Sequence, residues 1–119
     1  MHNYKELIVW KRSIKLCASV YKLIANFPNK ERFGLISQMR RASVSIPSNI
    51  AEGGGGRTDR EFLHFLGVAH GSIRELESQL YISLELEFVN LDQIDSITYE
   101  ITEIQKILYA LIQKFENQT

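Results

Sequence analysis

An all-α fold is predicted: an antiparallel up-down four-helix bundle whose second helix is kinked at Pro47. Three features of the 119 residues carry that expectation. Apolar side chains recur three and four positions apart through four separate segments, which is the period of an amphipathic helix. Short runs of helix punctuation divide the segments: Phe27-Pro28, Gly53 to Gly56, and Phe88-Val-Asn90. No stretch alternates apolar and polar residues for long enough to read as a strand. Short connections favour antiparallel neighbours, and the length suits one domain over residues 1–119.

Taken in order, Asn3 with Glu6 offers a partial capping box for the first helix. Its stripe is Leu7, Trp10, Ile14, Cys17, Val20, Tyr21 and Ile24, with Lys5, Arg12, Lys15 and Lys22 largely off it. Phe27 precedes a proline and is pushed away from helical angles, so the helix ends there. The second helix is expected from Asn29 or Lys30, with Glu31 in its first turn, and its stripe is Leu35, Met39, Ala42, Ile46 and Ile50. Pro47 cannot donate to the Ser43 carbonyl, which predicts a kink, with Ser43, Ser45 and Ser48 able to satisfy the loosened backbone. One bent helix to about Glu52 is the reading, with two separate helices as the alternative.

Gly53 to Gly56 are expected to stop and reverse the chain. Thr58-Asp-Arg-Glu61 reads as a full capping box for a third helix, whose stripe is Phe62, Phe65, Leu66, Ala69, Ile73, Leu76, Leu80 and Leu84. Gly67 and Gly71 leave a flat spot for the close approach of another helix. Asp92 is expected to cap a fourth helix carrying Ile94, Ile97, Ile101, Ile104, Leu108, Leu111 and Phe115.

Composition narrows the function. No apolar run reaches the ~18 residues of a membrane span, and the N-terminus lacks a signal core. The single cysteine, Cys17, excludes an internal disulfide and fits a reducing cytoplasm. Net charge is zero but divided. Residues 1–74 hold twelve Lys and Arg against five acids, a net of seven positive charges, and residues 75–119 hold two against nine, a net of seven negative. Either the basic part meets an acidic partner such as RNA, or the two parts neutralise each other within or between subunits.

Sites for chemistry are scarce. The glycine run before a helix N-terminus invites phosphate, with Arg57 and Arg60 nearby. However, Ala51 stands where a Walker loop needs its first glycine, Arg57 replaces the lysine, and no strand precedes. His64 and His70, six apart, share no helix face well, and Glu61-Phe-Leu-His64 is a single copy of a motif that metal sites use in pairs. No catalytic residue, metal or cofactor is assigned, and no small-molecule substrate is expected. Candidate phosphate contacts are Lys11, Arg12, Lys15, Arg57 and Arg60. On the second helix Arg41, Ser45, Ser48 and Glu52 share a face that Gln38 and Asn49 overlap, and Glu75 and Glu77 supply carboxylates. Gln38, Arg41, Ser45, Asn49, Glu52, Glu75 and Glu77 are therefore expected to form a polar network that fixes helix register or subunit contacts.

The block Gln38-Met-Arg-Arg-Ala42 with Ser45-Ile-Pro-Ser-Asn-Ile-Ala-Glu-Gly53, together with Trp10, Phe27-Pro28, Gly34-Leu35, Arg57, Glu61-Phe62, Ala69, Gly71-Ser72 and Glu75-Leu-Glu77, resembles a bacterial family. It is the four-helix-bundle proteins encoded within intervening sequences of 23S ribosomal RNA genes, also called S23 ribosomal proteins. The resemblance spans nearly the whole chain. It implies an up-down bundle assembled as a ring-like homopentamer, with no enzymatic activity. The accessory protein of diversity-generating retroelements is similar in fold, and binds nucleic acid and a reverse transcriptase through basic surfaces; the present chain departs from it in being neutral overall. The resemblance thus implies a homo-oligomeric scaffold contacting RNA or a ribonucleoprotein, or alternatively a protein-protein interaction ring with no nucleic-acid role.

Overall fold

Four apolar stripes on one short chain can all be buried only against one another. In the computed structural model, which describes residues 2–117, the helices are α1 (Ile8–Ile24), α2 (Leu35–Gly54), α3 (Asp59–Glu85) and α4 (Leu91–Glu116). Short 3-10 turns occupy Tyr4–Glu6 and Asn29–Glu31. Each helix packs on its two neighbours, α1 and α3 both touching α2 and α4. The result is a square antiparallel bundle measuring 45 × 23 × 20 Å. Its core is the predicted stripes of α2, α3 and α4: Met39, Ile46 and Ile50 meet Phe62, Leu66, Ile73, Leu76 and Leu80, with Ile94, Ile101, Ile104 and Leu108 closing the fourth side.

On α1 the buried face shares Val20 and Ile24 with the expected one and otherwise differs from it. Val9, Ser13, Leu16, Val20 and Ile24 are buried, whereas Ile14 is 43% and Tyr21 41% exposed. The two stripes lie one residue, or ~100°, apart on the helix. The buried one contains a serine, which hides it from a count of apolar residues. Ser13 is tolerated because its hydroxyl donates to the Trp10 carbonyl at 2.9 Å. The Asn3 cap is also replaced. Asn3 makes no side-chain cap bond, Leu7 is extended, and α1 begins at Ile8.

The second helix starts later than the sequence suggests, at Leu35, where the Glu31 carboxylate accepts the Leu35 N–H at 3.3 Å. It then runs as one helix through Pro47 to Gly54. Near the missing proline N–H, Ser43 donates to the Arg40 carbonyl at 3.1 Å and Asn49 Nδ2 donates to the Ser45 carbonyl at 2.7 Å.

The glycine run serves proximity before it serves turning. Gly53 and Gly54 lie buried inside α2, and no glycine in the run has positive φ. A Cβ on Gly53 would stand 2.8 Å from Phe65 Cβ and 3.1 Å from Phe62 Cδ1, so α2 and α3 touch there backbone to side-chain root. Gly67 and Gly71, the expected flat spot, meet nothing within 4 Å; that surface faces outward, away from the other helices of the chain.

Caps close the remaining ends. Thr58 accepts the Glu61 N–H at 3.1 Å, but the Glu61 carboxylate reaches back one residue further, to the Arg57 N–H at 3.1 Å. On α4 the cap is Asn90 rather than Asp92, in a reciprocal capping box with Gln93. Helix α3 ends in a Schellman turn, with Phe88 N–H donating to the Ser83 carbonyl and Glu87 N–H to that of Leu84, both at 3.0 Å. The left-handed residue there is Glu87, at φ 63°. At the opposite end the His2 N–H donates to the Gly54 carbonyl at 2.8 Å. The His2 ring packs on Phe62 and Phe115, tying the start of the chain to α2, α3 and α4.

Candidate nucleic-acid and partner interface

Helix α2 turns its polar face outward between α1 and α3, and two adjoining clefts flank it. The cleft against α3, of about 420 Å³, is lined by Gln38, Arg41, Ala42, Ser45, Ser72 and Glu75. The cleft against α1, of about 470 Å³, is lined by Tyr21, Arg40, Arg41, Val44, Ser45, Ser48 and Asn49. Arg41 and Ser45 belong to both.

Of the seven residues expected in a polar network, Asn49 and Ser45 are the two hydrogen-bonded to each other among the described residues. The hydrogen-bonded centre is Ser45, whose hydroxyl meets that of Ser72 at 2.8 Å and accepts from Asn49 Nδ2 at 2.8 Å. Gln38, Arg41 and Glu75 stand around this centre as cleft walls. Ser72 is a participant the sequence reading left out; it falls three residues before Glu75 on the same helix face, a spacing that marks it as a neighbour. Gln79, one turn beyond Glu75, extends the polar strip inward. It is buried, donates to Glu75 at 3.5 Å, and keeps its Oε1 without a protein partner. Two expected members lie elsewhere. Glu52 is exposed and lines neither cleft, and Glu77 faces α4, in a groove with Asp95, Thr98 and Glu103. Glu77 misses because a helix turns 100° per residue, so it and Glu75, two apart, cannot both face α2.

The five candidate phosphate contacts divide as well. Lys11 and Lys15 are exposed on α1. Arg12 is committed elsewhere, its Nε and Nη2 donating to the two carboxylate oxygens of Glu100 on α4, the second at 3.0 Å. That hydrogen bond, reinforced by the opposite charge and opposed by burial, raises Arg12 above the ordinary arginine value and holds Glu100 below the usual carboxylate range. Arg57 and Arg60 are exposed at the start of α3. The helix terminus beside them is already occupied by Thr58 and Glu61 and carries Asp59 and Glu61 in its first turn, so it does not present an open anion site.

Of the histidines, His64 is exposed and its ring meets Phe65 edge-on. His70 borders a groove of about 590 Å³ with Thr102, Lys106 and Tyr109, where burial and then Arg74 push it below the ordinary histidine value. Cys17 is half-buried, with its thiol 3.6 Å from the Ser43 hydroxyl.

Charge is thus segregated on the folded body. Glu116 aside, Arg12–Glu100 is the one ion pair joining the basic residues 1–74 to the acidic residues 75–119 among the described residues. No helix among them is long and apolar enough to cross a membrane.

A solved structure similar to this chain is a crystal structure of a protein of unknown function from the S23 ribosomal protein family, from Bacteroides thetaiotaomicron. The two are 27% identical with a TM-score of 0.79, over 88% of this chain and 98% of that one. Comparison with curated proteins gives no match. Residues 5–110 match the family described as 23S rRNA-intervening sequence protein, nearly the length of the four-helix bundle, and the chain belongs to that family.

Proposed function

We propose that this protein is a non-enzymatic, cytoplasmic helical scaffold that associates with copies of itself and contacts RNA, or an RNA-bound protein, through its basic N-terminal half. The observation that carries this reading is the charge left over after folding. Lys11, Lys15, Lys22, Arg40, Arg41, Arg57 and Arg60 are all exposed, and none pairs with a carboxylate among the described residues. Unpaired surface cations attract polyphosphate and raise its on-rate at low salt. The acidic α4 offers the complementary surface, so a head-to-tail ring, five-membered by family resemblance, would set one copy's basic face toward the next copy's acidic one.

Light scattering on the purified chain checks self-association; a monomer at micromolar concentration removes the ring. A mobility shift with structured RNA at 50 and 200 mM salt checks the contact, and six phosphate contacts would cost about 10³-fold in affinity between those salts. No shift at the lower salt removes the RNA role.

A protein-only interaction ring is the second reading. Phe33 is 88% exposed and Ile8 65% exposed, apolar surface that a protein partner would cover. Recovery of one constant protein partner from nuclease-treated lysate, with no RNA shift, would favour it.

A further inference from the structure

The cleft between α1 and α2 has a composition the other arginine-lined clefts lack. Beside Arg41 on the α3 side stands Glu75, and beside Arg12 and Lys15 on the α4 side stands Glu100. No carboxylate lines the α1/α2 cleft, where Arg40 joins Arg41, the residue that borders Glu75 on its α3 side, and an aromatic ring shares the wall. That ring, Tyr21, is 41% exposed, and the Arg40 guanidinium carbon lies 5.6 Å from its centroid. Val44, 40% exposed, adds an apolar edge. Asn49 spends its amide N–H groups on Ser45, which leaves its carbonyl oxygen as an acceptor beside the exposed Ser48 hydroxyl.

A partly exposed aromatic ring, unpaired cations and a few spare polar groups are what an unpaired nucleotide requires. The base stacks on the ring or on a guanidinium plane, and the phosphate takes the charge. The volume, about 470 Å³, falls within the range of small-ligand sites. A base still in a duplex could not present its face to Tyr21, so the recognised strand is single.

We propose that the α1/α2 cleft holds one unpaired nucleotide of single-stranded RNA, with its base against Tyr21 and its phosphate between Arg40 and Arg41. This rests on the RNA reading above and narrows it to a strand type and a place. It also moves the contact away from Lys11 and Lys15, the cations that charge alone selects.

Fluorescence anisotropy of a labelled single strand of ~12 nucleotides, against the same sequence annealed into a duplex, reads it out on the whole chain. The single strand is expected to bind more tightly. Tyr21→Ala should weaken it about ten-fold while Tyr21→Phe stays within about two-fold, since stacking needs the ring and not the hydroxyl. Arg41→Ala should also lower the slope of log affinity against log salt by about 0.7. Tyr21 and Arg41 are both exposed, and an unchanged helical circular dichroism spectrum confirms that each variant is folded. Equal affinity for the duplex, or equal loss in Tyr21→Ala and Tyr21→Phe, overturns the proposal. If Tyr21→Ala and Arg41→Ala bind normally while Lys11→Glu with Lys15→Glu does not, this cleft is wrong and the broader RNA reading stands. If the unaltered chain binds neither RNA form, both fall.

Discussion

Along the α1/α4 seam, Arg12 and Glu100 face each other and share two hydrogen bonds. Along the α2/α3 seam, Arg41 and Glu75 line one cleft without pairing. The difference follows from how each pair of helices is held. At the α2/α3 seam the backbone comes close enough at Gly53 that small contacts suffice, with Ser45 and Ser72 bonded hydroxyl to hydroxyl. Charged side chains there are not needed for cohesion and stay turned to solvent. Helices α1 and α4 are the chain's first and last, joined by no loop, and a bidentate ion pair spans them. Charge used to close the fold cannot also recruit a partner, so the two seams divide those tasks.

The sharpest way to break this contrast is to fill the close approach. Gly53→Ala places a methyl 2.8 Å from Phe65 Cβ, an atom fixed to the α3 backbone that cannot swing aside. Overpacking of this kind costs about 1–3 kcal/mol even after the helix propensity gained by alanine. The same substitution at Gly67 or Gly71, where nothing lies within 4 Å, should stabilise by roughly 0.5–1 kcal/mol. Urea midpoints of the three variants check the sign. A stabilised Gly53→Ala would mean that α2 and α3 are not held by proximity.

Next in size is the serine pair. Ser72→Ala leaves the Ser45 hydroxyl one partner short, and Asn49→Ala removes two bonds around the same atom and its carbonyl. Each should cost about 1 kcal/mol by thermal unfolding, the usual net worth of such bonds. The double variant should lose less than the sum, because both act through Ser45. Strict additivity would show that Ser45 does not join them.

What the sequence disclosed of these seams depended on whether a residue's spacing fixed its face. The stripes of α2, α3 and α4 were legible because each has one dominant apolar row and that row is the buried one, even with Ser43, Gln79 and Ser83 buried beside it. In α1 two rows run side by side, and the buried one contains Ser13, so counting apolar residues favoured the exposed row with Ile14 and Tyr21. Arg12 looked like a free cation because its partner lies 88 residues away, beyond any local pattern. Glycine offered two explanations, turning and proximity, and only three-dimensional neighbours could separate Gly53 from Gly67. Within the candidate site, Arg41, Ser45 and Asn49 were readable from helical spacing. Tyr21 was not, since a tyrosine on an apparent core stripe carries no sign that it will face a cleft.

The smallest effect is electrostatic, and pH isolates it. Glu100 sits below its ordinary value of 4.5 because Arg12 donates to it, with burial acting the other way. A carboxylate whose folded value is depressed stabilises fully above its unfolded value, and that contribution drains away as pH falls through the folded one. Glu100→Gln should therefore lower the urea midpoint at pH 7, and its gap from the unaltered chain should close as the pH drops below the carboxylate range. Arg41→Met, which breaks no pair, should stay within about 0.5 kcal/mol of the unaltered chain at pH 7. High salt should narrow the Glu100→Gln gap only partly, because both side chains are half-buried and incompletely screened. A gap that persists unchanged into acid would show that α1 and α4 are held by packing alone, and Arg12 would then be free to contact phosphate after all.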